Sequence, residues 1–162
     1  MVKRVGDRFF VAVAPQRGKY DIEEAAKGGI TFVINNRPDD DVSRGDLLSM
    51  SSAEIEAQAR AAGMGYVHLP VVPTQISDDQ ITAMGEAIKQ AGDGYILGTC
   101  RTGMRSLIMY ALAQSKIGAV KPEDMMAIGK AMGFDLIEHR ERMIQLNKAH
   151  AAAEKAKAAA KG

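Results

Sequence analysis

The chain has 162 residues, 46% hydrophobic and 25% charged, with 21 Lys and Arg against 20 Asp and Glu. This is an ordinary balance for a soluble globular domain with material for its own core. The net charge of +1 excludes a global field for nucleic acid or an anionic membrane, so any anion site must be a local cluster.

Phe9-Phe-Val-Ala-Val-Ala14 reads as a first strand, ended by Pro15 and Gly18. Tyr20 to Lys27 is a short helix closed by Gly28 and Gly29. Ile30-Thr-Phe-Val-Ile34 is a continuous β-branched and aromatic run, the pattern of a strand buried on both faces. It passes into the polar loop Asn35-Asn-Arg-Pro-Asp-Asp-Asp41. Ser51 followed by Glu54 is a capping-box pattern for a helix from about Ser52 to Ala62, stopped by Gly63. Gly65-Tyr-Val-His-Leu69 is a third strand. Ser77 with Gln80 opens a further helix to about Ala91, helped by Asp78 and Asp79 at its N-terminus. Tyr95-Ile-Leu-Gly-Thr99 is a fourth buried strand.

Gly103 begins a helix whose stretch Leu107 to Leu112 is apolar almost all round and therefore central. Pro122 suits the first position of the next helix, which Gly133 closes. Asp135 opens the last one, with Leu136, Ile137, Met143 and Ile144 at helical spacing. Beyond Leu146 the apolar side chains shrink to alanine, which predicts a frayed helix or disorder. Strands alternating with helices predict one α/β domain over residues 1–147, with a mainly parallel sheet of four or five strands and an Ala/Lys-rich tail over 148–162.

The single cysteine rules out an intramolecular disulfide and a multi-cysteine metal site within one chain. No His/Cys cluster is present, so neither metal nor cofactor is expected. The absence of a membrane-length apolar run or a signal core makes the cytoplasm the expected compartment. Cys100 lies between a buried strand and a helix start, where ligands collect in open α/β sheets. The helix dipole and neighbouring guanidinium groups favour the thiolate form of such a cysteine. In the loop Cys100-Arg-Thr-Gly-Met-Arg105, Gly103 permits close backbone approach. Arg105 can grip an oxyanion with its planar fork, and Arg101 adds charge. Thr102 and Met104 complete the anion cradle, and Ser106 is placed to donate a hydrogen bond to the sulfur. Asn36 and Arg37 follow a strand on the same side and are candidate substrate contacts. A turn satisfied by its own asparagines is the competing account of them. His68 reads as structural.

Cys100-Arg-Thr-Gly-Met-Arg-Ser106 resembles the active-site loop of rhodanese-type sulfurtransferases, where six residues run from nucleophile to arginine. Tyrosine and dual-specificity phosphatases use a loop one residue longer. Ser106 stands where their arginine would fall, and Thr99 where they usually have histidine. Val33-Ile-Asn-Asn-Arg-Pro-Asp39, the cysteine loop and Gly133-Phe-Asp-Leu136 are similar to the phosphatase-like domain family found alone or joined to β-lactamase-like hydrolases in bacteria, over nearly all of residues 8 to 147. That resemblance implies a compact dual-specificity-phosphatase-like fold. Members are described as phosphatases or as sulfurtransferases, so the reaction stays open.

A phosphatase needs an acid for the leaving oxygen, and the stretch Pro70-Val-Val-Pro-Thr-Gln-Ile-Ser77, where the resemblance would place it, has none. General acid catalysis is commonly worth about 10²–10⁴-fold. Asp39, Asp40 or Asp41 are the candidate substitutes, with a solvated turn as their competing account. Sulfur transfer needs no such acid, and the tighter loop suits a single sulfur. The expected function is therefore a sulfurtransferase working through a Cys100 persulfide, with a sulfane-sulfur donor and a thiol acceptor. The alternative is a phosphatase acting through a Cys100 phosphocysteine on a phosphorylated substrate. A non-catalytic anion-binding or persulfide-binding module is the third reading. The apolar stripe of the last helix leaves the oligomeric state open.

Overall fold

The structure, a computed structural model, describes residues 2–15, 22–41 and 49–161. By internal contacts the chain divides into two compact units, residues 1–107 and 108–162.

The first unit carries five strands: β1 Val2–Arg4, β2 Phe9–Ala12, β3 Ile30–Asn35, β4 Gly65–His68 and β5 Tyr95–Thr99. They form one sheet in the order β1-β2-β5-β3-β4. Only β1 runs antiparallel, on β2, and the other three pairings are parallel. The fold is thus α/β with a five-stranded, mainly parallel sheet. β1 is a strand that the sequence reading lacked. It has three exposed residues, two of them charged, and so shows no hydrophobic period. β2 stops at Ala12, two residues short of the expected Ala14.

β5 is central, between β2 and β3, and residues Ile96 to Thr99 are all buried. β3 is buried at every position except Thr31, as its continuous apolar run requires. Helices α1 Ile22–Lys27, α2 Ser52–Ala61 and α3 Asp78–Gln90 alternate with the strands. The expected Tyr20 and Gly18 lie outside the described residues. The Ser77/Gln80 capping box is present in both directions, and Ser51 Oγ accepts the Glu54 N–H at 3.3 Å. A core cluster joins Ile22 and Ala25 of α1, Ile30 and Val33 of β3, Ile55 and Ala59 of α2, Met50, Met64, Tyr66 and Leu97. Because β2, β3, β4 and β5 are parallel, their carboxyl ends Ala12, Asn35, His68 and Thr99 share one edge of the sheet. The loops after them gather there, which is where α/β sheets bind ligands.

α4 Met104–Lys116 begins in the first unit and continues into the second, which also holds α5 Pro122–Ala131 and α6 Ile137–Ala160. Leu107 to Ala113 are all buried. Pro122 is the first residue of α5, as expected. Gly129 of α5 faces Leu136, and Arg140 of α6 pairs with Glu123 at 2.8 Å. α6 starts at Ile137, with Asp135 Oδ1 accepting the Ile137 N–H at 3.0 Å. It stays helical to Ala160 although residues 151–161 are exposed, where the sequence allowed fraying or disorder. Alanine and lysine are strong helix formers, and that propensity carries the helix past its last buried side chain, Met143. No helix among the described residues is long and apolar enough to cross a membrane.

Candidate active site

Cys100 follows the last residue of β5 and is 1% exposed. The chain turns sharply behind it, and Gly103, at φ +96°, is the residue that makes the turn. That backbone region is costly for side chains with a Cβ. The turn brings the Gly103 N–H to 3.1 Å from Cys100 Sγ. A backbone donor aimed at sulfur is the arrangement that an anionic nucleophile accepts. Thr102 Oγ1 accepts the Met104 N–H at 3.3 Å, satisfying a first-turn donor of α4. Arg101 and Thr102 are exposed on the rim of the loop, and the Arg101 carbonyl accepts the Ala14 N–H at 3.3 Å. Thr99 Oγ1 lies 3.2 Å from the Val13 carbonyl oxygen, which ties β5 to the end of β2.

Arg105 lies in the first turn of α4 and lines a cavity of about 260 Å³ together with Pro38, Asp40, Val71, Val72 and Pro73. The sequence reading singled out two of those residues, Arg105 and Asp40. The apolar wall of Val71, Val72 and Pro73 was not among the sequence's site candidates, since prolines after a strand read as its end. Its signal was a pair of prolines following a strand on the cysteine side of the sheet.

Cys100, Asn36, Arg37 and Asp39 are not among the residues that line this cavity. Asp39 Oδ1 accepts the Ser52 N–H at 2.8 Å, and Oδ2 accepts the Ser52 hydroxyl at 2.6 Å. Those two bonds keep its carboxyl below the usual aspartate range. Asp40, its neighbour in the 3₁₀ turn Asp39–Asp41, is exposed. Arg37 is 6% exposed and its guanidinium donates to Ser49 Oγ at 3.3 Å. His68 Nε2 lies 2.8 Å from the Arg37 carbonyl oxygen, which makes Nε2 the protonated nitrogen and fixes the loop from below.

Asn36 is fully buried and bonded within the protein, so it does not reach the cavity. Ser106 donates its hydroxyl proton to Asn36 Oδ1 at 2.9 Å. The expected donation to the sulfur is replaced by this bond, because one hydroxyl carries one proton.

Residues 5–118 match the phosphatase-like domain of β-lactamase hydrolase-like proteins. The chain belongs to this family. A β-lactamase hydrolase-like protein of Xylella fastidiosa strain Temecula1 is 34% identical over 127 residues, 78% of this chain. The match spans only 28% of that relative's length. A candidate phosphatase of Neisseria meningitidis Z2491 superposes with a TM-score of 0.70 at 25% identity, covering 89% of this chain and 96% of that one. The kinase-associated phosphatase, solved with its catalytic-site cysteine replaced by serine, superposes with a TM-score of 0.68 at 14% identity, covering 89% and 88%. At that identity the likeness is one of fold. The phosphatase-like family therefore has the tyrosine and dual-specificity phosphatase fold in this chain, as the resemblance implied.

Proposed function

We propose that this phosphatase-like domain is a cysteine-dependent phosphomonoesterase. Cys100 Sγ, held by the Gly103 N–H, attacks phosphorus, the Arg105 guanidinium holds the phosphoryl oxygens, and Asp40 protonates the leaving oxygen. The phosphocysteine is then hydrolysed by a water that Asp40 deprotonates. The observation that carries this reading is the shared cavity of Asp40 and Arg105. Sulfur transfer was favoured by the missing acid and the tighter loop, and a carboxylate at Asp40 beside Arg105 answers the first of these. Family membership and the catalytic cysteine of the kinase-associated phosphatase support the same chemistry.

The test is turnover of phenyl and 4-nitrophenyl phosphate by wild type, Cys100→Ser, Asp40→Asn and Asp39→Asn. Cys100→Ser should abolish hydrolysis. Asp40→Asn should lower kcat/KM for the poorer phenolate leaving group by about 10²–10⁴-fold and for the nitrophenolate by far less, kcat/KM being free of the shared phosphocysteine hydrolysis. Asp39→Asn should stay within about tenfold of wild type, since its carboxylate is committed to Ser52. Equal losses on both substrates in Asp40→Asn would remove Asp40 from the acid role.

The spacing of Cys100 and Arg105 favours a second reading, sulfur transfer through a Cys100 persulfide. Intact mass after thiosulfate decides it. A gain of one sulfur, removed by thiol and absent from Cys100→Ser, together with no phosphatase turnover, would replace the first reading by the second.

A further inference from the structure

We infer that Asn36 is a positioning residue, holding the nucleophile strand, the arginine helix and the acid loop in one register. The inference rests on the phosphatase reading for its rate readout. Asn36 is 0% exposed and touches no solvent-facing cavity, yet its polar groups reach every wall of the site. Its N–H donates to the carbonyl of Thr99, the residue before Cys100, at 2.8 Å. Its carbonyl accepts the N–H of Val71 at 3.1 Å. In the side chain, Nδ2 donates to the Leu69 carbonyl at 3.0 Å and lies 4.0 Å from Met84 Sδ of α3. Oδ1 accepts from Ser106, the residue after Arg105, at 2.9 Å.

Four segments meet at this one residue, and the cavity is built from their immediate neighbours. Pro38 and Asp40 follow Asn36 by two and four positions, Val71 is bonded to it, and Arg105 adjoins its partner Ser106. A planar amide suits this task because it presents a donor and an acceptor in fixed opposition. Aspartate would set a carboxylate oxygen against the Leu69 carbonyl, and alanine would strand both partners in a dry site. Small displacements between an acid, a nucleophile and an anion clamp are costly, about 10²-fold in rate for about 1 Å. A single buried side chain that fixes all three is therefore a point on which turnover depends without any contact with substrate.

The experiment compares Asn36→Ala, Ser106→Ala and the double variant, normalising rates to titrated Cys100. Ser106→Ala is the milder change and keeps the test open if Asn36→Ala folds poorly. Each single variant should lower kcat about 10²-fold with little change in KM. Each should also raise the ratio of 4-nitrophenyl to phenyl phosphate turnover, because the acid is displaced. The double variant should fall no more than about threefold below Asn36→Ala, since Ser106→Ala removes a bond already lost in Asn36→Ala. Loss of folded protein alone cannot alter the substrate ratio. An unchanged ratio, or losses that multiply, would overturn the inference.

If wild type hydrolyses no aryl phosphate, the phosphatase reading falls, and the thiol judges the positioning claim instead. The rate of Cys100 alkylation by iodoacetate relative to iodoacetamide reports the positive field at the sulfur. That ratio should drop about tenfold in Ser106→Ala. An unchanged ratio overturns the positioning role independently of the reaction.

Discussion

Asp39 and Ser52 are joined twice, carboxylate to backbone N–H at 2.8 Å and carboxylate to hydroxyl at 2.6 Å. The pair ties the turn after β3 to the first turn of α2, whose free N–H groups an anion satisfies well. These bonds, with a smaller contribution from the field of His68, lower the Asp39 pKa from its ordinary 3.8. A folded pKa below the unfolded one stabilises the protein above the unfolded value, and that share is lost as pH falls through the folded pKa. Asp39→Asn should therefore lower the urea midpoint at pH 7 by an amount equivalent to about 1 kcal/mol or less, since the group is largely exposed. The difference should close on acidification below about pH 3.9. A gap that stays constant from neutral to acid pH would show that the charge is not what stabilises the turn.

Tyr66 extends the same tether. Its hydroxyl donates to the Ser52 carbonyl and accepts from Asn35 Nδ2, both at 3.2 Å. Burial pushes its pKa up to about 12, with the nearby carboxylates of Glu56 and Asp39 adding to the shift against the Asn35 bond. A phenol whose folded pKa lies above its unfolded 10.0 stabilises the protein fully below that value and progressively less as pH rises toward 12. Tyr66→Phe should cost about 1 kcal/mol at neutral pH and flatten the alkaline limb of the stability profile. Phenolate absorbance titration of the folded protein should lose a step near pH 12 in that variant. If the step survives, another tyrosine carries it.

How much of this was legible before folding depends on which residues carried a local signal. The strands β3 and β5, the Ser77/Gln80 cap and the cysteine loop all announce themselves within a few residues, and the structure places them as read. What the sequence could not display is which of three consecutive aspartates is spent. Asp39 is committed because Ser52, thirteen positions on, is brought beneath it, and no pattern within the loop reveals that partner. Asn36 was legible as a residue near the site, but its burial arises from four other segments closing over it. Val71 to Pro73 became a cavity wall only when β4 took the edge position beside β3. β1 was invisible because pairing with β2, rather than hydrophobic alternation, makes it a strand.

The end of α6 invites a direct test of what stability it carries. Residues 151–161 are exposed throughout. His150, by contrast, lies against Gly118, where an added Cβ would run into its ring. Asn147 donates to the Ser115 carbonyl at 2.7 Å. Stability should therefore reside before residue 151 and propensity alone beyond it. Deleting residues 151–162 should change the free energy of unfolding by less than about 0.5 kcal/mol while removing a visible share of helical circular dichroism. Deleting from Asn147 should cost more, because the Ser115 carbonyl loses its donor. Equal effects of the two truncations would contradict this division.

Gly98 offers the sharpest link between packing and chemistry. It is buried in β5, and a Cβ there would come 2.8 Å from the ring of Phe9 and 2.9 Å from the Cβ of Ser106. Neither neighbour is a loose end. Phe9 is 2% exposed on the adjoining strand, and Ser106 is fully buried in the first turn of α4. Gly98→Ala must therefore push β2 or the start of α4 away from β5, at a cost of about 1–3 kcal/mol. The displaced segment on the α4 side includes Arg105, so aryl phosphatase activity per folded molecule should fall as well. Gly85, inside α3, is the control. A Cβ there meets nothing within 4 Å, so Gly85→Ala should raise stability by about 0.5–1 kcal/mol through helix propensity and leave turnover unchanged. Thermal unfolding and turnover on both variants check the pair. If Gly98→Ala lost stability but kept full activity per folded molecule, the strain would have been taken up by Phe9 alone, and the coupling of β5 to the arginine helix would be refuted.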